Sequence, residues 1–145
     1  MPVIEESVVI NRPRDEVFAS ALDPSLVPIW ATNVLEMAPP SGGQIRPGTQ
    51  IRMTQKYAGK TYEAVGQPVE VDAGRRLRSR MEFPFPIELE TRLEDADGGT
   101  RWTQRWTFDI PEGFFGELDD ELVAKLYAID LRSNFEKLKA LLESR

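Results

Sequence analysis

The sequence predicts an α+β fold in which a curved antiparallel sheet of about seven strands wraps around one long C-terminal helix. Three observations predict it. Six strand-like segments follow one another after residue 33 with only short turns between them, and short connections favour antiparallel neighbours. Residues 116–143 form an amphipathic pattern that is typical of a long helix. Two short helical segments separate the first strand from the second.

Proline signals bound the first three elements. Residues 3–10 are rich in β-branched side chains, which predicts the first strand. Pro13 suits the first position of a helix, so we expect a short helix over residues 13–21. The pair Asp23-Pro24 repeats that signal and predicts a second short helix over residues 24–30, whose length Pro28 limits.

The remaining strands alternate with turn-forming stretches of Gly, Pro, Asp and Ser. We predict them over residues 34–38, 49–57, 61–71, 75–83, 87–94 and 100–110. The helix over residues 116–143 has acidic residues near its start and lysines near its end, as the helix dipole favours. Its apolar residues recur near helical spacing and are Leu118, Leu122, Leu126, Ile129, Phe135, Leu138 and Leu142.

Composition limits the classes of function. A chain of 145 residues with 41% hydrophobic content predicts a single domain over residues 1–145. The net charge of -6 disfavours nucleic acids and anionic membranes as partners. Cysteine and histidine are both absent, which removes disulfides, thiolate chemistry, imidazole catalysis and most zinc sites. With no signal peptide and no long apolar run, we predict a cytoplasmic protein without stable membrane insertion. We predict no metal and no cofactor.

Strand alternation places a row of polar side chains among the apolar ones that we expect to face the helix. Gln55, Ser79, Thr91 and Gln104 lie on four different predicted strands. An unpartnered buried amide or hydroxyl costs about 1–3 kcal/mol, so the row favours a wet or ligand-filled cavity of roughly 300–1,000 Å³. Bound water or mutual hydrogen bonds would satisfy these groups equally well. The predicted ligand contacts are Trp30, Met53, Gln55, Ser79, Met81, Thr91, Gln104, Trp106, Leu122 and Leu126.

The opposite faces of the same strands carry rows of arginine and glutamate. Facing rows of opposite charge predict cross-strand ion pairs on a solvated outer surface. An anion-binding arginine patch is the alternative.

Glu63 and Tyr62 are the candidates for acid–base chemistry, and a strand bulge decides which of them faces the interior. Without a bulge at Gly66 or Pro68, Glu63 points inward, where poor solvation raises the pKa of a carboxyl. With a bulge, Tyr62 enters instead and offers a phenolic hydroxyl. The sequence leaves both alternatives open, and it leaves open whether the protein is an enzyme.

Four stretches carry a family resemblance through their order and spacing. They are VVINRPRDEVF at residues 8–18, Asp23-Pro24 followed by Trp30, VDAGRRL at residues 71–77 and GGTR at residues 98–101. Together they resemble the START-like (SRPBCC) superfamily, which includes Bet v 1 allergens and polyketide cyclase/dehydrase-like proteins. The resemblance covers nearly the whole chain and implies a helix-grip fold enclosing a cavity for lipids, sterols, polyketides or quinones. It implies no single activity.

Aromatic residues near three connections fit such a fold, in which alternate hairpin turns and the start of the long helix meet at one end of the cavity. These residues are Tyr57, Phe83, Phe85, Phe114 and Phe115. They would gate entry to the cavity, plug the end of the core or contact a second subunit.

Three hypotheses of function follow. The leading one is binding of a hydrophobic or aromatic small molecule, lipid-, polyketide- or quinone-like, in the cavity. The second is a cyclase, dehydratase or aromatase that uses the same cavity. The third is a ligand-free interaction module of co-chaperone type, and a homodimer is left open.

Overall fold

The computed structural model of the chain describes residues 1–57, 59–82 and 85–145. Within these ranges, one seven-stranded sheet is accompanied by three α-helices and one 3-10 turn. The elements follow the order β1 (Val3–Ile10), α1 (Arg14–Ala21), α2 (Val27–Trp30), β2 (Val34–Met37), the 3-10 turn (Ser41–Gly43), β3 (Ile51–Tyr57), β4 (Lys60–Asp72), β5 (Arg76–Met81), β6 (Ile87–Ala96), β7 (Gly99–Phe108) and α3 (Asp120–Glu143).

The sheet is a curved half-barrel with the strand order β1-β7-β6-β5-β4-β3-β2, and every neighbouring pair is antiparallel. The last strand therefore closes against the first, with Val3 opposite Thr107 and Ile10 opposite Thr100. Gly99 permits this closure, because a Cβ there would collide with the carbonyl oxygen of Ile10. The predicted α+β class and strand series are confirmed.

The core lies between the inner face of the sheet and the C-terminal half of α3. Phe135 of α3 and Trp102 of β7 are almost fully buried, with ring centroids 6.3 Å apart. Trp30 of α2 packs edge-on to Trp102 at 6.1 Å. Leu138 and Leu142 continue the buried side of α3. The long helix therefore packs a row of buried side chains against the sheet.

Helix α3 begins at Asp120, four residues later than predicted. Gly113 and Gly116 have φ values of +75° and +68°, a left-handed conformation that an α-helix cannot include. Asp119 then caps the helix, because its Oδ1 accepts a hydrogen bond from the N–H of Glu121 at 3.1 Å. The glycines hold the preceding segment in turns, and the helix starts only after them.

Helix α2 is also shorter than predicted, covering only Val27–Trp30. The carboxylate of Asp23 accepts hydrogen bonds from the N–H of Ser25 at 2.9 Å and from its hydroxyl at 2.7 Å. These bonds also lower the pKa of Asp23. They stabilise a turn at residues 24–26 in place of the first helical turn.

A bulge in β4 resolves the parity of that strand. The register to β5 shifts between Pro68 and Glu70. Ala64 and Pro68 are buried on the inner face, while Val65 and Val69 are exposed. Of the two alternatives that the sequence leaves open, the bulged strand is the one observed.

The outer face of the sheet is a network of ion pairs, as predicted. Glu90 of β6 lies 2.6 Å from Arg76 of β5, and this hydrogen bond raises the pKa of the guanidinium. Because these side chains are exposed to solvent, each pair contributes little to stability. The remaining pairs are Arg76–Glu70, Arg78–Glu70, Arg80–Glu82, Arg92–Glu5 and Arg92–Glu90.

Candidate functional site

An inner pocket of about 130 Å³ lies between the sheet, α2 and α3. Residues of six strands line it, together with the buried face of α2 and one turn of α3. Eight of the ten residues predicted to contact a ligand are in its lining. They are Trp30, Met53, Gln55, Ser79, Met81, Thr91, Gln104 and Trp106.

The inner pocket is smaller than the predicted order of 300–1,000 Å³. Two indoles, Trp30 and Trp106, and two thioether side chains, Met53 and Met81, are part of its wall and take up space that smaller residues would leave free. In another protein an apolar cavity of about 150 Å³ holds one benzene molecule. The pocket therefore has the capacity for about one ring.

Gln104 is a buried amide whose two polar ends both have partners. Its Nε2 donates a hydrogen bond to Thr91 Oγ1 at 3.2 Å. Its Oε1 accepts one from Trp106 Nε1, also at 3.2 Å. This chain of contacts runs across the inner faces of β6 and β7, and it fixes the orientation of the Trp106 indole at the wall of the inner pocket.

Gln55 is a second buried amide, but unlike Gln104 it has an oxygen without a partner among the described residues. Only 2% of the residue is exposed. Among the described residues, its Nε2 approaches the sulfurs of Met53 and Met81, at 3.7 and 3.8 Å. Its Oε1 has no hydrogen-bond partner among residues 1–57, 59–82 and 85–145. Because an unpaired buried polar atom costs about 1–3 kcal/mol, Gln55 lowers the stability of the ligand-free protein.

Asn134 of α3 is a pocket residue that the sequence analysis missed. It is 5% exposed, and its Oδ1 accepts a hydrogen bond from the Thr32 hydroxyl at 2.9 Å. The signal was its position: Asn134 follows Leu131 by three residues and precedes Leu138 by four, so it falls on the apolar face of the helix. A polar residue at such a position marks a contact with a partner in the interior.

An outer pocket of about 320 Å³ adjoins the inner one. The two share four lining residues, Asn33, Trp106, Leu131 and Asn134, which therefore separate them. The outer pocket is lined further by Ile4, Thr32, Lys56, Phe115, Leu118, Val123, Leu126, Tyr127 and Asp130.

Leu122 and Leu126 do not line the inner pocket, and their role as ligand contacts stays a prediction. They are 44% and 49% exposed, and Leu126 borders only the outer pocket. The side of α3 that faces the sheet is set by Leu131 and Phe135, and Val123 extends that side toward the start of the helix. Because each residue turns a helix by about 100°, the neighbouring leucines point away from that side.

Glu63 and Tyr62 lie on opposite faces of β4. Glu63 is exposed on the outer face, where it shares a shallow groove with Arg52 and Glu36. The bulge places Tyr62 on the inner face, half-buried, with its ring centroid 6.4 Å from that of Phe114. Neither residue is in the lining of the inner pocket, and of the described residues that form this lining none is ionisable.

The described part of the chain has neither an acidic metal-binding cluster nor a membrane-spanning helix. Across residues 1–57, 59–82 and 85–145, acidic side chains do not gather in groups of three that could share a metal ion. Over the same ranges, no helix has an apolar run long enough to cross a bilayer.

The aromatic end of the interior consists of Phe85, Phe108, Phe114 and Phe115. Phe85 precedes β6 and is 1% exposed. Its ring centroid lies 5.1 Å from Phe114 and 5.8 Å from Phe115, both edge-on. The predicted meeting of a hairpin turn with the start of the long helix is therefore confirmed for these three residues. Phe83 and the side chain of Tyr57 lie outside the described residues, and a gating role stays a prediction.

Comparison with known proteins places the chain in a family. The family model described as polyketide cyclase / dehydrase and lipid transport matches residues 1–143. Among curated proteins, none matches the sequence.

Solved structures share the fold. Protein TTHA0849 from Thermus thermophilus is 21% identical, with a TM-score of 0.78 over 99% of this chain and 98% of that one. A START superfamily protein from Mycobacterium smegmatis is 13% identical, with a TM-score of 0.77 over 98% of this chain and 97% of that one. Ara h 8.0201 is 21% identical, with a TM-score of 0.71 over 99% of both chains.

These likenesses confirm the predicted Bet v 1/START-like helix-grip fold. The match of the family model over nearly all of the sequence agrees with them. The chain belongs to the polyketide cyclase / dehydrase and lipid transport family.

Proposed function

We propose that the protein binds a hydrophobic or aromatic small molecule in the inner pocket. The observation that carries the proposal is the composition of the lining. Gln55, Ser79, Thr91 and Gln104, one from each of four strands, interrupt walls that are otherwise mainly apolar. Apolar walls with a few convergent polar groups are typical of sites that bind small molecules, because burial supplies affinity and the polar groups fix orientation.

A ligand larger than one ring would continue past Trp106 and Asn134 into the outer pocket, since both residues border both spaces. The combined volume falls within the range of about 300–1,000 Å³ that is usual for small-molecule sites. Such a ligand would also cover Leu118 and Leu126, which are now half exposed. Lipid-, polyketide- and quinone-like molecules all meet this description.

Catalysis by a cyclase, dehydratase or aromatase is supported less well than binding. General acid–base chemistry needs a titratable group within hydrogen-bond reach of the substrate. The inner pocket offers amides and hydroxyls from its described residues, and Glu63 faces outward. Turnover of a polyketide-like substrate that is lost on replacing Tyr62 by Phe would revive this alternative.

The interaction module, the homodimer and the cytoplasmic location stay predictions. Leu122 and Ile129, exposed by 44% and 56%, would suit a contact between proteins. Measurement of the solution mass over a range of concentrations tests for self-association.

The test of the proposal is equilibrium binding to the full chain of the neutral fluorescent dye N-phenyl-1-naphthylamine, whose three rings would extend from the inner into the outer pocket. We expect saturable binding at a ratio of one to one. Gly66→Val should weaken it by about tenfold or more, because a Cβ at Gly66 would already stand 3.3 Å from Met53 Cε at the pocket wall. Gln67→Val is the matched control, since Gln67 is exposed on the other face of the same strand and should leave binding unchanged. Absence of saturable binding, or equal loss in both variants, would refute the proposal.

A further inference from the structure

We infer that the ligand of the inner pocket is a neutral aromatic ring that carries a hydroxyl group, and that Gln55 Oε1 accepts the hydrogen bond from that hydroxyl. This inference rests on the proposed function and specifies its chemistry. Three properties of the inner pocket carry it: the polarity of the unpaired atom, the lack of charge in the lining and the shape of the space.

The unpaired atom, Gln55 Oε1, is a hydrogen-bond acceptor, so the ligand must supply a donor. A thioether sulfur can accept a hydrogen bond but cannot donate one. The two sulfurs near Gln55, those of Met53 and Met81, therefore hold the Nε2 end of the amide and leave Oε1 without a partner among the described residues. A ligand that donates an O–H to Gln55 Oε1 removes the cost of the unpaired acceptor, and this makes its binding free energy more favourable.

The lining selects a neutral donor. None of the described side chains around the inner pocket is charged, so an ammonium group entering it would lose its hydration without gaining an ion pair. A phenol avoids this cost, because burial favours its protonated, neutral form. The hydroxyl of a ring thus fits where a cationic donor does not.

The remaining wall favours an aromatic ring. The pocket volume of about 130 Å³ suits one six-membered ring with a small substituent. Met53 and Met81 are part of the lining, and thioether side chains pack favourably against aromatic rings. Trp30 and Trp106 add aromatic surface on the side of α2 and β7.

The experiment compares phenol, toluene and anisole as probes of the full chain, by ligand-observed NMR titration. Toluene has about the size of phenol without the hydroxyl. Anisole keeps an oxygen attached to the ring, but that oxygen carries no hydrogen to donate. We expect phenol to bind more tightly than either. In Gln55→Met, which keeps the volume of the side chain, the preference for phenol over toluene should fall by about tenfold, the effect of one buried hydrogen bond.

Gln67→Met, the same change on the outer face of β4, should keep the wild-type preference. A preference for phenol that is unchanged in Gln55→Met overturns the inference and leaves the proposed function standing. Toluene or anisole binding the wild-type protein as tightly as phenol overturns it too, without any need for the variant to fold. If none of the three probes binds, the inference fails, and the dye titration decides whether the proposed function fails with it.

Discussion

Two regions of the same interior are built from different side chains. The aromatic end packs Phe85 against Phe108, Phe114 and Phe115, with centroid distances from Phe85 of 5.1–6.2 Å, and Phe85 is 1% exposed. The inner pocket keeps about 130 Å³ of space and includes Gln55, whose buried Oε1 has no partner among the described residues.

The aromatic end stabilises the fold, whereas the inner pocket has features that destabilise it. Close packing of rings is stabilising, since each buried aromatic removes a large apolar surface from water. An empty space and an unpaired amide both lower the stability of the ligand-free protein. A side chain that is costly in the free protein is expected where a ligand completes the structure, and the inner pocket is such a place.

The largest expected effect comes from opening the aromatic end. Phe85→Ala should lower the free energy of unfolding by about 3–5 kcal/mol, because it removes a fully buried ring and leaves a cavity between the neighbouring phenylalanines. Phe115→Ala is the matched control and should cost less, since Phe115 is only half-buried. Denaturant unfolding measures both. A loss below about 1 kcal/mol for Phe85→Ala would mean that this end is not a packed core.

The next effect contrasts the two buried glutamines of the pocket. Gln104→Met should destabilise the ligand-free protein by about 1–3 kcal/mol, because Trp106 Nε1 loses its acceptor and Thr91 Oγ1 its donor. Gln55→Met should stabilise it by a similar or smaller amount, because it removes an acceptor that has no described partner.

Unfolding of both variants by denaturant, at equal ionic strength and without ligand, gives the two signs directly. Equal destabilisation by the two substitutions would show that Gln55 has a partner in the free protein, and the contrast between the two amides would disappear.

A smaller effect is expected at Gly66, which borders the pocket on β4. Gly66→Ala should raise the free energy of unfolding by about 0.5–1 kcal/mol, since glycine is disfavoured within a strand and its φ here is not positive. The added Cβ would meet the end of the flexible Met53 side chain at 3.3 Å, so the neighbour can shift at little cost. Thermal unfolding checks this, and a net loss of stability would mean that Met53 is held rigidly.

The fold was predictable because its signals are local and repeated. Turn residues separate the strands, and alternation assigns each side chain to a face with a period of two. For that reason the polar row of Gln55, Ser79, Thr91 and Gln104 could be placed on the inner side, where all four line the pocket.

The rotation of α3 could not be read from spacing in the same way. Leu118, Leu122, Leu126 and Ile129 follow helical spacing as well as Leu131, Phe135, Leu138 and Leu142 do. Only the packing of Phe135 against Trp30 and Trp102 decides which of the two sets is buried. The volume of the pocket depends likewise on side-chain conformations at Met53, Met81 and Trp106, which no pattern of residue types specifies.

The smallest effect concerns the C-terminal end of α3, remote in sequence from both regions compared above. Glu143 Oε2 accepts hydrogen bonds from Lys139 Nζ at 2.7 Å and from the N–H of Asn11 at 2.9 Å. The Lys139 bond first, and the Asn11 bond second, lower the pKa of Glu143 below its ordinary value of 4.5. Because this carboxyl holds its proton less tightly when folded, the stabilisation is complete above pH 4.5 and is lost as the pH falls through the lowered pKa.

Glu143→Gln keeps the shape of the side chain and removes its charge, so it isolates this contribution from other carboxyls such as Asp23. We expect the variant to be slightly less stable than the wild type at about pH 6 and equal to it once Glu143 is protonated, as followed by denaturant unfolding between about pH 6 and pH 3. Phenol affinity should stay constant over the part of this range in which the protein is folded, because the described lining has no ionisable group and phenol remains neutral. A phenol affinity that falls together with the stability would mean that the seating of α3 on β1 controls the pocket. The pocket would then depend on how the whole of α3 packs against the sheet, and not only on the turn of α3 that lines it.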